Sequence, residues 1–289
     1  DVPPEIVKAI AERESGNWRH FDENGEAIVT VDNGIGIMQI TNQAGLDQNK
    51  LKNDLLFNIE EGVKILNNMF EKRKDLPIIN NGHREHRDVL EHWYFAIMAY
   101  NGTKPENSPI IQAKDVRNTK AYQERIFNII KERGLINLAE LRFTREDFSY
   151  DSNSRENIKF TKMQFDFGSI TKSKHYFKTN DEVSTTTNVN IRPTPTTDNN
   201  NKKGTLAKGE IVTITGPFKY DENPMKPNHF VWYPVKRSDG TEGYVASSYL
   251  DYITFNDIPR DYEYKKEIYY LAERNIINGV EPNRFVLGQ

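Results

Sequence analysis

The first chemistry the sequence offers is a carboxylic acid at the end of an apolar helix face. Residues 2–15, VPPEIVKAIAERES, place Ile6, Ile10 and Glu14 at i, i+4 and i+8, with Val7 and Ala11 beside them. That spacing puts Glu14 at the C-terminal end of the buried stripe of an amphipathic helix. Glu12 lies about 200° around the same helix and is expected to face water. A carboxyl against an apolar wall has its charged form desolvated, so its pKa rises and it can hold a proton near neutrality, as a general acid must. A half-buried structural glutamate fits the same position, and this segment alone does not separate the two. His83, His86 and His92 raise the question of a metal. They have no paired acidic ligand pattern such as H-E-x-x-H, and a solvated loop explains His83 and His86, so no metal is expected.

The elements that must position Glu14 read as helices. Asp1 can cap the first one, and prolines at 3 and 4 suit a first turn, where a missing N–H goes unmissed. Residues 53–70 carry Leu55, Leu56, Ile59, Val63, Leu66 and Phe70 as a predicted core-facing stripe. Residues 89–100 are apolar nearly all round, as in a central buried helix, with Gly102 as its stop. Residues 119–133 repeat the amphipathic pattern through Tyr122, Ile126, Phe127 and Ile130 before Gly134.

The whole chain has 289 residues, long for one domain, with a net charge of −3 and an ordinary aromatic share, so nothing marks a nucleic-acid binder. No apolar run approaches the roughly 20 residues of a membrane span. Without an initiator Met or a signal peptide, Asp1 reads as a processing or cutting boundary. The absence of cysteine excludes disulfides, thiol chemistry and Cys-based zinc sites. Residues 141–182 are polar with scattered aromatics and read as a linker partly packed on its neighbours. Beyond them the pattern turns to short alternating strands: Val189 to Pro193, Ile211 to Ile214, Trp232 to Val235, the Asp239-Gly240 turn pair, and Gly243 to Val245. Short strands with glycine turns imply a small β-barrel.

Three short pieces then stand in order over residues 1–140: Glu14-Ser15-Gly16-Asn17-Trp18, Gly34-Ile35-Gly36-Ile37-Met38-Gln39-Ile40-Thr41, and Ala99-Tyr100-Asn101-Gly102. The set resembles the lytic transglycosylase family, whose soluble, lysozyme-like domain has a helix-end Glu-Ser, a Gly-x-Gly-Leu-Met-Gln-like turn and Ala-Tyr-Asn. The chain departs from it at Ile37, where the family has Leu, and in an insert from Phe21 to Asn33, where the family places a Ser shortly before the glycines. Residues 183–252 resemble the bacterial SH3 domain. Phe255-Asn256-Asp257 through Ile276-Ile277-Asn278-Gly279 resembles the first half of an S-layer homology module, with Asn275 for its first glycine and Phe285-Val286-Leu287 for its Phe-x-Pro. The expected fold is therefore multidomain α plus β: a mainly α lysozyme-like domain (1–140), a linker (141–182), a small SH3-like β-barrel (183–252) and a short helical tail holding a partial S-layer homology module (253–289).

The resemblance implies a peptidoglycan lytic transglycosylase that cleaves the MurNAc-β-1,4-GlcNAc bond and leaves 1,6-anhydro-MurNAc ends. Glu14 would be its one catalytic acid and base. Ser15, Met38, Gln39, Tyr100 and Asn101 would bind substrate, and no cofactor is implied. Trp232 and Tyr244 would line a stem-peptide groove, although a strand tryptophan also serves as a core anchor. The expected partners are glycan strands, stem peptides and secondary cell-wall polysaccharide, and the expected place is outside a bacterial cell of Gram-positive type, at the wall. Two other readings stay open. A muramidase- or glucosaminidase-like hydrolase would need a second carboxylate, for which Asp32 and Glu26, and less readily Asp22, are at hand. A non-catalytic wall-binding scaffold would have no use for a desolvated acid.

Overall fold

The computed structural model describes the chain except residues 17, 42, 44, 73, 81–82, 169, 199, 254, 256, 259–261, 265–266, 269–270, 272–276, 278–284 and 288–289, and the side chain of residue 72. The chain divides into two compact units, Asp1–Ser173 and Lys174–Gln289.

The first unit is built on five helices: α1 (Pro4–Ser15), α2 (Gln48–Asn53), α3 (Leu55–Lys72), α4 (Tyr94–Asn101) and α5 (Tyr122–Gly134). Helix α1 starts at Pro4 with Pro3 as its N-cap and no side-chain cap, so Asp1 does not take the capping role expected of it. It ends at Gly16 in the left-handed conformation, whose N–H bonds the Glu12 carbonyl at 3.1 Å. Ile6 and Ile10 are fully buried. Helix α4, entered through a 3-10 turn (Leu90–Trp93), is buried over Tyr94 to Ala99 and packs on both α3 and α5, while α5 also packs on α1. Two expectations are corrected here. Glu12 is not in open water but pairs with Arg133 of α5 at 2.9 Å, because α5 covers that side of α1. Leu55 and Leu56 are exposed, at 41% and 65%: Leu55 is the first residue of α3, one turn ahead of the stripe, which starts at the polar Asn58 and continues through Gly62, Leu66 and Phe70, and Leu56 is off it. Leu56 stands about 200° around the helix from Asn58.

The segment expected as a linker belongs to the first unit as far as Ser173. It contributes short strands: β1 (Ile78–Ile79) pairs in parallel with β6 (Gln164–Phe165), and β4 (Phe148–Ser149) pairs with β5 (Lys159–Phe160). The remaining pair of this unit is β2 (Ile110–Ile111) with β3 (Val116–Arg117). Its aromatics enter the helical core, with Phe143 4.9 Å from Phe165 and Phe165 stacked 5.8 Å from Phe95 of α4. Two buried carboxylates fasten it. Glu91 accepts the N–H groups of Ala139 (2.7 Å) and Thr171 (2.8 Å), and Ser173 Oγ lies 2.8 and 3.0 Å from the carboxylate oxygens of Glu5 in α1. The aromatics of this stretch are buried in the core of the first unit, a fuller packing than the partly packed linker expected of it.

His83 is likewise inside rather than in a solvated loop. It stacks on Phe70 at 4.3 Å and on His92 at 5.0 Å, and burial, with His92 beside it, pushes its pKa down to about 4.

In the second unit β7 (Glu182–Thr185), β10 (Ile211–Ile214), β11 (Trp232–Lys236), β12 (Glu242–Ala246) and β13 (Leu250–Tyr252) form one antiparallel sheet in the order β12-β11-β10-β7-β13. Strands β8 (Val189–Ile191) and β9 (Gly204–Leu206) form a separate hairpin. Among the described residues no sheet closes into the expected barrel. Strand β8 reaches β12 through the Arg192–Tyr244 bridge, whose two residues exchange N–H···O bonds of 3.0 and 2.8 Å. Much of the expected S-layer half-module, Asn275 included, lies outside the described residues. What is described there is a small apolar cluster of Phe255, Ile258 and Ile268, with Asp257 accepting the N–H groups of Phe285 (2.7 Å) and Val286 (2.6 Å).

Because Phe165 is core and not tether, Phe165→Ala is expected to cost about 3–5 kcal/mol, read as a lower melting temperature of the helical signal in circular dichroism. An unchanged melting curve would return the segment to the status of a linker.

Candidate active site

Glu14 is the last residue but one of α1 and is half-buried. The hydroxyl of Tyr122, the first residue of α5, donates a short hydrogen bond to Glu14 Oε1. Burial raises the Glu14 pKa above the carboxylate range. The Tyr122 bond and the nearby Arg13 charge oppose that rise, and the Asp32 charge adds to it. Tyr122 and Tyr100 are pushed upward by their own burial and by the negative charge of Glu14, so both phenols remain protonated donors near neutrality.

The Gly34 to Ile40 turn is tied to the end of α4 through Tyr100, and buried side chains answer its main chain. His20 Nδ1 accepts the Ile37 N–H (3.1 Å), so its proton sits on Nε2 and is donated to the Lys52 carbonyl (2.9 Å). Asn58 of α3 accepts the Met38 N–H (3.0 Å) and donates to the carbonyls of Ile35 (2.9 Å) and Leu51 (3.1 Å). Tyr100 donates its hydroxyl to the Met38 carbonyl at 2.7 Å. Gly36 is required twice over: its φ is +70°, and a Cβ there would lie 2.3 Å from His20 Cε1.

The expected site residues divide. Tyr100 is near enough to Glu14 to feel its charge, whereas Gln39 is bonded within the turn, to Gly36 and beside Thr30. Gln39 is held in the left-handed region (φ +48°) by its Nε2 bond to the Gly36 carbonyl (2.8 Å). Met38 is fully buried with its side chain against Gly62, where a Cβ would be 2.8 Å away, so it faces the core and no sugar. Ser15 is buried, its hydroxyl donating to the Ala11 carbonyl (2.6 Å) and accepting the Arg19 N–H (3.1 Å). Asn101 is exposed and accepts from Asn107 Nδ2 at 2.9 Å.

The insert folds as two tight turns. Asp22 closes the first by accepting the N–H groups of Asn24 and Glu26. Thr30 to Gly34 form the second, with Asn33 at φ +64°. Thr30 Oγ1 lies 2.6 Å from both Asp32 Oδ1 and Gln39 Oε1. That hydroxyl and nearby main-chain N–H groups hold the exposed Asp32 below the usual carboxylate range.

Tyr122, Asn58 and His20 are the residues that the sequence reading missed. Tyr122 was read as the first apolar residue of its stripe. Its signal was the hydroxyl, since a buried tyrosine needs a polar partner and a desolvated acid needs a donor. In the second unit the Trp232 indole is buried at 2% exposure and donates Nε1–H to Asp221 at 3.0 Å, while Tyr244 is half-buried beside Arg192. Among the described residues no group of three or more His, Cys, Asp or Glu is arranged to hold a metal ion, and no helix is long and apolar enough to cross a membrane.

Two changes test this geometry. Gly36→Ala must displace His20 or Asn58, and a loss of about 2 kcal/mol or more in denaturant unfolding is expected. For Glu14 the sign follows from its raised pKa. Its contribution to stability is full below the ordinary value of 4.5 and is lost as pH rises through the higher folded value. Glu14→Gln should therefore raise the melting temperature at pH 7 and lose that advantage near pH 4.

Residues 1–123 match the family described as the transglycosylase SLT domain, and residues 187–251 match the bacterial SH3 domain. No S-layer homology module is matched, and binding to secondary cell-wall polysaccharide has no support. Among curated proteins and among solved structures nothing matches the chain. The two domains fit a multidomain α plus β protein, support peptidoglycan-degrading activity of lytic transglycosylase or lysozyme-like type, and point to peptidoglycan as the partner.

Proposed function

We propose that the protein cleaves the MurNAc-β-1,4-GlcNAc bond of peptidoglycan without water, leaving 1,6-anhydro-MurNAc ends, and that Glu14 is its acid and base. The observation that carries this reading is a half-buried carboxyl of raised pKa that accepts the hydroxyl of Tyr122. A protonated Glu14 gives its proton to the O4 atom leaving with N-acetylglucosamine. The acetamido oxygen of N-acetylmuramic acid attacks C1 from the opposite face, so the positive charge is held as an oxazolinium and no protein nucleophile is needed. Glu14, now a carboxylate, takes the proton of the C6 hydroxyl while O6 closes on C1 and the oxazolinium opens. Tyr122 holds one Glu14 oxygen and leaves the other for the sugar. Gln39 and Tyr100 border the reacting pair, and Asn101 keeps the loop beyond it in place. The SH3 domain serves the same substrate by binding stem peptides, which places the protein at the cell wall.

One observation favours a second reading. The Asp32 charge is felt at Glu14, and Asp32 stays ionised in the turn that Thr30 ties to Gln39. An ionised carboxylate beside a protonated one is what a hydrolase uses to activate water.

Mass spectrometry of sugars released from purified peptidoglycan separates the two. Under the proposal the wild type releases muropeptides lighter by one water than reducing ones, and Glu14→Gln releases none. Reducing ends that vanish in Asp32→Asn would establish the hydrolase. Sugar release by Glu14→Gln at the wild-type rate would remove Glu14 from either mechanism.

A further inference from the structure

The matched domain ends at residue 123, but the unit that contains it continues to Ser173. The added chain is hydrogen-bonded to the loop that follows Tyr100 and Asn101. Tyr150 is the hub of that contact. Its hydroxyl donates to the Ile110 carbonyl (2.9 Å) and accepts the Gln112 N–H (3.1 Å), while Gln112 Nε2 donates to the Phe148 carbonyl (2.8 Å). At the other end of the loop the Ile158 N–H donates to the Thr103 carbonyl at 2.8 Å, and Lys104 Nζ donates to the Arg155 carbonyl. Residues 148–158 therefore hold the loop at both ends.

The middle of the same loop sets the start of α5. Asn107 donates through Nδ2 to Asn101 Oδ1 (2.9 Å) and the Gly102 carbonyl (2.8 Å), and its Oδ1 accepts the Tyr122 N–H (3.0 Å). The Asn107 carbonyl accepts Gln123 Nε2 at 2.8 Å. Ser108 Oγ donates to the same Ile110 carbonyl that Tyr150 uses, at 2.9 Å. A continuous set of short bonds thus runs from Tyr150, through the loop, to the residue whose hydroxyl meets Glu14.

We propose that residues 148–158 are a brace for the active site, with Tyr150 as a positioning residue that fixes Tyr122 against Glu14. This rests on the reading of Glu14 as the acid. A phenol–carboxyl bond is directional, so a small displacement of the α5 N-terminus weakens it. The Tyr122 bond favours the Glu14 carboxylate, and weakening it leaves the upward push of burial less opposed. Loss of the brace therefore moves the Glu14 titration to higher pH.

The test uses the full chain as wild type, Tyr150→Phe, Tyr122→Phe, the double variant and Glu14→Gln, with turnover on purified peptidoglycan followed against pH. Tyr150→Phe is expected to lower kcat about three- to ten-fold with KM within about two-fold, and to shift the alkaline limb of kcat upward. Tyr122→Phe shifts that limb the same way, and adding Tyr150→Phe to it changes kcat by less than about two-fold. Carbon-13 NMR titration of the Glu14 carboxyl, identified by its loss in Glu14→Gln, reads the same upward shift without turnover. An unshifted limb and titration in Tyr150→Phe, or effects that multiply in the double variant, overturn the brace even where the melting temperature falls. If Tyr150→Phe does not fold, Gln112→Leu removes the neighbouring bond to Phe148 and is judged by the same shift. Wild-type cleavage by Glu14→Gln would sink the acid reading, an outcome distinct from failure of the brace.

Discussion

An acid that keeps its proton near neutrality must be dry, and a dry acid must have a partner. The bond from Tyr122 to Glu14 meets both demands with a donor that carries no charge. A lysine or arginine in that place would stabilise the carboxylate and pull the proton off. A purely apolar wall would leave a buried oxygen unanswered, at a cost of about 1–3 kcal/mol. A buried phenol answers that oxygen and only partly offsets the upward push of burial, and its own proton is held more tightly by the very charge it faces. The packing of α1 on α5 exists at the right depth for this one contact, and the Arg133–Glu12 pair on the outer side of the same interface keeps the two helices in register.

The Gly34 to Ile40 turn follows a different rule. A turn with two glycines and two left-handed residues is expensive to order, and apolar packing alone would not choose one arrangement of its main chain. His20, Asn58 and Tyr100 make that choice by hydrogen bonds from three separate elements. These three side chains bond main-chain groups, which is the use of buried polarity that specifies geometry as well as stability.

How much of this was legible in the sequence depends on range. The α1 stripe and the place of Glu14 upon it follow from 3.6-residue periodicity, and the buried central helix follows from its unbroken apolar run. The partners of the acid do not, because Tyr122 is far along the chain and looks like any aromatic on an apolar face. Leu55 and Leu56 misled for the converse reason: apolar type suggested core, whereas the face of α3 is fixed by the hydrogen bonds of Asn58. The stretch after residue 140 reads only as a partly packed linker, because its aromatics follow no helical or strand period. They are placed one at a time, on short strands, against a core that local patterning cannot reveal.

The stacked pair His83 and His92 gives the first unit a lower boundary in pH. Burial holds both rings neutral, and His83 resists protonation down to about 4. Below the ordinary histidine value of 6.5 an unfolded chain takes up protons that the folded one refuses, so acid drains stability from the Phe70–His83–His92 column. Glu14 and Glu91, raised by burial, lean the opposite way, since the folded chain keeps their protons after an unfolded one has lost them. As pH rises from 4.5 toward the raised values of the two carboxyls, the two slopes oppose each other. The unit thus carries buried groups whose pH dependences partly cancel in its own stability.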